Sequence, residues 1–303
     1  MIALLFPGQG AQVVGMGQEL AASSPAARAT FEEADAVLGY PLSEVCFSGP
    51  AERLTQTDVC QPALVATCVA AWRAAEEIGL RGDLVMGHSL GEYAALVVAG
   101  AITYPDALRL VAERGAAMQA AADAHPGAMA AVLGATDGEV EALCADVGDV
   151  WPANYNCPGQ VVVSGTHEGI DRLLERIAST GGKAARLKVS GAFHSPLVAP
   201  AAERLSRALA AWTPGSIDVP FLSTTTCRFE PADRLRELLA QQLVCPVRFG
   251  AAVEVALAAG TTQFVELGVG RVLSGLVKRV QRDAAVLQVN TPADLVALAK
   301  VVQ

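Results

Sequence analysis

Residues 84–99 read Leu84-Val85-Met86-Gly87-His88-Ser89-Leu90-Gly91-Glu92-Tyr93-Ala94-Ala95-Leu96-Val97-Val98-Ala99. A short apolar run leads into a G-x-S-x-G pentapeptide, and an alanine-rich helix former follows it. Strand, sharp turn and helix are the context in which this pentapeptide acts as a nucleophile elbow. Glycines flank the serine because the turn is tight and backbone passes close on both sides. The turn lifts the serine oxygen out of the sheet. The helix start behind it aims N–H groups at a developing oxyanion. The same pentapeptide arises by chance in a chain with 28 glycines, so the chemistry depends on which partners Ser89 has.

The 303 residues exceed one simple core, which predicts a large domain with a smaller insert, or two domains. Hydrophobic residues make up 52% and charged residues 17%. That balance suits an α/β protein whose central strands are covered on both faces. A net charge of −9 argues against a nucleic-acid surface. The seven cysteines form no C-x-x-C pair and are odd in number. They read as reduced, mostly buried thiols of a cytoplasmic protein, without zinc spacing. Met1–Phe6 is apolar but stops at Pro7-Gly8, too short for a signal peptide, and reads as a first strand. No run of eighteen apolar residues predicts a membrane span.

Outward from the elbow, helices are expected around 16–22, 26–38, 61–78 and 105–122. Beyond residue 125 the texture changes. Strands at 128–133, 150–155, 160–164 and 184–189 alternate with helices at 137–147 and 169–180. That order, β-α-β-β-α-β, is the split βαβ pattern of a ferredoxin-like unit. It places a small domain at 126–191 inside a large one formed by 1–125 and 192–303. The large domain resumes with a helix at 199–211, a strand at 219–223, helices at 231–243 and 247–259, a strand at 264–267 and a helix at 275–282.

A serine hydroxyl needs a base to take its proton. The four histidines are His88, His125, His167 and His194. His88 adjoins Ser89, and successive residues at a sharp turn point apart. His125 sits beside Pro126 at the domain junction, and His167 reads as a surface residue at a helix start. His194 lies in Ser190-Gly191-Ala192-Phe193-His194-Ser195-Pro196, a loop where the insert returns to the main domain. Such junctions are usual places for catalytic groups. No acidic residue stands out as its orienting partner, and a backbone carbonyl could serve instead. Residue by residue, this describes a serine enzyme that transfers or hydrolyses acyl groups.

The whole set of motifs resembles the malonyl-CoA:acyl carrier protein transacylases of bacterial fatty-acid synthesis. The likeness is carried by Phe6-Pro7-Gly8-Gln9-Gly10-Ala11-Gln12, by 87–92, and by Gly191-Ala192-Phe193-His194-Ser195. Further matches are Gln61-Pro62-Ala63-Leu64, Glu113-Arg114-Gly115, Met118-Gln119, Gly127–Ala131, Asn156-Cys157-Pro158-Gly159-Gln160, Gln242-Leu243 and Val265-Glu266-Leu267-Gly268. The resemblance runs in order through essentially the whole chain. It implies an α/β-hydrolase-like large domain with an inserted ferredoxin-like small domain. It also implies an S-malonyltransferase whose partners are malonyl-CoA and acyl carrier protein; the cysteines point to the cytoplasm, and a fold that needs no partner to close its core is expected to be a monomer. No metal or redox cofactor is implied, because the CoA thioester is a substrate.

By the same resemblance, Ser89 is the nucleophile and His194 the general base and acid. Gln9 and Leu90 give backbone N–H groups to the oxyanion hole. Arg114 pairs with the free malonyl carboxylate. Gln242 orients His194 through its main-chain carbonyl, and Phe193 disfavours an α-methyl branch. The segment Phe221-Leu222-Ser223-Thr224-Thr225-Thr226 departs from the fatty-acid pattern, where Asn is frequent, and its Ser-Thr pair is closer to polyketide synthase acyltransferases. Ala11 and Val198 also depart. A stand-alone polyketide acyltransferase is therefore the alternative, with an acyl hydrolase behind it. Lys183, Arg186, Lys188, Arg271, Lys278, Arg279 and Arg282 are the candidate basic contacts for an acidic carrier.

Overall fold

A computed structural model describes residues 1–189 and 191–301. Its frame is a parallel sheet of four strands: β1 (Ile2–Phe6), β2 (Leu84–Gly87), β7 (Gln263–Leu267) and β8 (Ala285–Val289), in the order β2-β1-β7-β8. β1 and β2 are buried almost throughout, as expected of strands covered on both faces. The register pairs Phe6 with Gly87. The Pro7–Gly10 loop and the elbow therefore leave the sheet side by side, at its carboxyl edge.

Between these strands, β3 (Ala128–Leu133), β4 (Val150–Cys157), β5 (Gln160–Gly165) and β6 (Lys183–Arg186) form an antiparallel sheet in the order β4-β5-β3-β6. Helices Asp137–Val147 and His167–Ser179 lie in the same stretch of chain. Val140, Cys144, Ile170, Leu173 and Ile177 from these helices share an apolar cluster with Ala130, Val132, Val161 and Val163. The chain is thus a mixed α/β protein with one parallel and one antiparallel sheet.

Most expected elements are present, and some differ in extent. The helix expected from Gln61 begins at Thr57 and runs to Glu77 with Pro62 inside it. The expected strand at 219–223 is reduced to isolated bridges, Phe221 with Val85 and Leu222 with Phe229. Pro220 has no N–H to give a ladder, although its carbonyl accepts from Val85 at 2.9 Å. Residues 223 and 224 then turn inward to another task. β6 ends at Arg186, three residues short of expectation. The expected 231–243 helix is a 3-10 turn (Ala232–Arg234) followed by helix Leu235–Gln241. Helices Leu42–Ser48, Ala51–Thr55 and Pro292–Ala299 and strand β8 are additional.

Candidate active site

Two glycines make the elbow sterically possible. A Cβ on Gly91 would lie 1.9 Å from the Phe6 carbonyl oxygen, and one on Gly87 would lie 2.1 Å from the Gly91 carbonyl carbon. β1 and the helix Gly91–Val98 can approach this closely only without side chains. Ser89 takes φ of 51°, the left-handed region that costs a non-glycine residue energy. It lines a cavity of about 270 Å³. Gln9, Ser89, Arg114, Asn156, Phe193 and His194 are among the lining residues.

His194, also at positive φ, places Nε2 at 2.8 Å from Ser89 Oγ. Its Nδ1 lies 2.9 Å from the Gln242 carbonyl and 3.1 Å from that of Cys245. Carbonyl oxygens only accept, so Nδ1 carries the proton and Nε2 is free to receive one from serine. Burial lowers the His194 pKa to about 3, and the nearby Arg114 charge adds to the shift. The imidazole is therefore neutral at rest, as a general base must be.

Arg114 is only 1% exposed although it sits in the middle of helix Tyr104–Ala124. Its Nη2 donates to Ser89 Oγ at 3.0 Å and to Gln242 Oε1 at 3.2 Å, and its Nη1 to Gln61 Oε1 at 2.8 Å. The guanidinium also lies 5.9 Å from the Tyr93 ring centre. Its Nε has no partner among the described residues. Burial lowers the Arg114 pKa, but a guanidinium this basic stays charged. Among the described residues no carboxylate touches it, so a cation waits beside the nucleophile.

The expected residues thus converge. Ser89, His194, Arg114 and Gln242 form one hydrogen-bonded group, and Phe193 and Gln9 line the cavity. Leu90 is buried at the turn into helix Gly91–Val98. Ser190, at the edge of the His194 loop, lies outside the described residues. His88 turns away from Ser89, with Nε2 2.9 Å from Asn156 Oδ1 on β4. His125 and His167 are exposed.

Sequence reasoning gives no role to Gln61, Glu92, Asn156, Ser223 or Thr224. Glu92 carries a readable signal: it is the lone charge in the apolar helix Gly91–Val98. It is fully buried and accepts from Thr224 N at 2.6 Å, Ser223 Oγ at 3.1 Å and Gln242 Nε2 at 2.6 Å. The Ser-Thr pair that departs from the fatty-acid pattern therefore has a structural task here. Among the described residues, no group of His, Cys, Asp or Glu is arranged to hold a metal, and no helix is long and apolar enough to cross a membrane.

Known proteins share this sequence and fold along nearly the whole chain. The family model described as acyl transferase domain matches residues 3–295. Malonyl CoA-acyl carrier protein transacylase from Bacillus subtilis is 45% identical over 298 residues, covering 96% of this chain and 94% of that protein. Its Escherichia coli K12 counterpart is 40% identical, covering 97% of each. The Coxiella burnetii malonyl CoA-acyl carrier protein transacylase structure superimposes with a TM-score of 0.95 at 38% identity, covering 99% of this chain and 96% of that one. A malonyl-transacylase solved in complex with its type II polyketide acyl-carrier protein also gives 0.95, at 39% identity and 99% coverage of both chains.

Proposed function

The chain belongs to the acyl transferase domain family, and from that premise we propose that it moves malonyl from malonyl-CoA to the phosphopantetheine thiol of an acyl carrier protein. The observation that carries this reading is the buried, carboxylate-free Arg114 within hydrogen-bond reach of Ser89 Oγ. A cation in that place favours an acyl group that ends in a carboxylate. Left unpaired by an acetyl group, it would cost about 3–5 kcal/mol, by analogy with a broken buried ion pair.

The chemistry follows a two-step exchange. Ser89 Oγ attacks the thioester carbon as its proton passes to His194 Nε2. The N–H groups of Leu90 and Gln9 stabilise the oxyanion. The C–S bond breaks, His194 returns the proton to the CoA sulfur, and malonyl remains on Ser89 as an ester. In the second half, the carrier thiol gives its proton to His194 and its sulfur attacks the ester. The C–Oγ bond breaks and Ser89 takes the proton back. Arg114 holds the malonyl carboxylate throughout, Gln242 keeps His194 in its tautomer, and the Phe193 ring crowds an α-branch. The residues supply nucleophile, base and electrostatics, so neither a metal nor a redox cofactor enters the scheme.

Large and small domains fit this work. We assign 1–125 and 192–303 to an α/β-hydrolase-like unit, on the strength of the nucleophile turn that follows β2. The stretch 126–191 is a ferredoxin-like insert, supported by the β4-β5-β3-β6 order and its own apolar cluster. The seven candidate basic residues are all exposed. Arg271 stands next to Val272, which lines the cavity, so that edge suits an acidic carrier. A cytoplasmic location agrees with the unpaired cysteines. The polyketide alternative is kept by the polyketide-carrier complex of a 39% identical relative. Transfer of labelled malonyl to fatty-acid and polyketide carriers, assayed side by side, tests the reading. Release of free malonate faster than transfer to either carrier would favour a hydrolase.

A further inference from the structure

We propose that Glu92 is a positioning residue: it fixes the orientation of the Gln242 amide, and through Gln242 it sets both the His194 base and the Arg114 cation. The inference rests on the malonyl-transfer reading of this site. Gln242 faces two acceptors on one side and a donor on the other. Its Nε2 lies 2.6 Å from Glu92 Oε2 and 3.0 Å from the Ser89 carbonyl, while its Oε1 receives Arg114 Nη2 at 3.2 Å. Flipping the amide would set oxygen against the carboxylate and carbonyl, and NH₂ against the guanidinium. Glu92, at the shorter of the two contacts and together with the Ser89 carbonyl, therefore decides which end of Gln242 Arg114 meets. The main-chain carbonyl of Gln242 accepts from His194 Nδ1 at 2.9 Å.

Glu92 is itself fastened. One oxygen accepts from the Thr224 N–H and the Ser223 hydroxyl, and the other is left for Gln242. The residue also sits in the first turn of helix Gly91–Val98, where the helix dipole favours a negative charge. Interposing Gln242 has a further consequence. The Glu92 carboxyl group makes no direct contact with Arg114, so the guanidinium remains open to an incoming carboxylate. The Ser223-Thr224 pair is the outermost layer of this chain of contacts.

Glu92→Asp keeps the carboxyl group but draws it back by one methylene. Ser223→Ala keeps Glu92 and removes one of its donors. Acyl-enzyme formation from malonyl-CoA and from acetyl-CoA is followed by quenched-time mass spectrometry, with thermal denaturation of each variant alongside. Malonyl loading of the wild type tests the underlying function, and the variants test the positioning role. For Glu92→Asp, the malonyl loading rate is expected to fall about tenfold or more, the size of a lost hydrogen bond to a charged group. The malonyl-to-acetyl rate ratio is expected to fall with it, because only malonyl carries the carboxylate that Arg114 holds. Ser223→Ala is expected to move the ratio in the same direction by about threefold. If a wild type that loads malonyl yields variants whose ratio is unchanged, the loss only tracking thermal stability, the proposal is overturned. If Glu92→Asp does not fold, Ser223→Ala alone decides by the same ratio.

Discussion

Replacing Arg114 with alanine probes the feature that separates this site from a general esterase. The wild-type guanidinium is 1% exposed and makes three hydrogen bonds, to Gln61, Ser89 and Gln242. In the loaded enzyme it would also pair with the malonyl carboxylate beside the buried Ser89. Losing one partner of such a pair costs about 3–5 kcal/mol. At about 1.4 kcal/mol per tenfold, kcat/KM for malonyl-CoA should fall about 150- to 4000-fold. Ser89 also loses the Nη2 donor, but that loss is shared by every acyl group. The ratio of malonyl to acetyl loading therefore isolates the carboxylate contribution. Initial rates of acyl-enzyme formation from each thioester, measured at the same pH and enzyme concentration, give that ratio. A ratio unchanged in the variant would refute the role of Arg114, whatever happened to the absolute rates.

Other perturbations give separate checks. Because His194 is neutral down to about pH 3, the rate of Ser89 acylation should stay level between pH 8 and pH 5; a loss centred near 6.5 in single-turnover kinetics would contradict the burial argument. The same depressed pKa predicts that stability falls as pH drops below about 6.5, since the unfolded imidazole takes up a proton that the folded one refuses; denaturant melts across pH 7 to 4 measure this. Gly91→Ala should destabilise the fold by about 3 kcal/mol or more through overpacking against the Phe6 carbonyl, and an unaltered melting temperature would count against the elbow geometry. Burial pushes the thiols of Cys46 and Cys60 up to about 12, and five of the seven cysteines are buried. A thiol reagent at pH 7 should therefore titrate at most Cys227 and Cys245 in the native protein.

Much of this site is legible in the amino-acid sequence. Periodicity places the elbow between a buried strand and a helix because each signal is local. The β-α-β-β-α-β order is legible for the same reason. The partnership of Ser89 with His194 spans 105 residues, and spacing alone can only nominate it; the family resemblance supplies the pairing. Glu92 stands inside the elbow motif without an evident role, because its partners Ser223, Thr224 and Gln242 lie 131 to 150 residues away. The pair Ser223-Thr224 reads as a hint about the carrier, whereas in three dimensions it holds a buried carboxylate. β8 and helix Pro292–Ala299 escape the sequence reading despite a local cue. Thr291 and Asp294 form a capping box at the start of that helix. The strand expected at 219–223 fails for a tertiary reason, since Ser223 and Thr224 are drawn toward Glu92 instead of continuing along β2.

The most direct test of the central claim is the mass of the intact protein after brief exposure to malonyl-CoA, followed by addition of holo-acyl carrier protein. The proposed transfer predicts one malonyl adduct on the wild type, none on Ser89→Ala, and loss of the adduct with matching malonylation of the carrier. An adduct that persists on Ser89→Ala, or one that disappears as free malonate while the carrier stays unmodified, would contradict it.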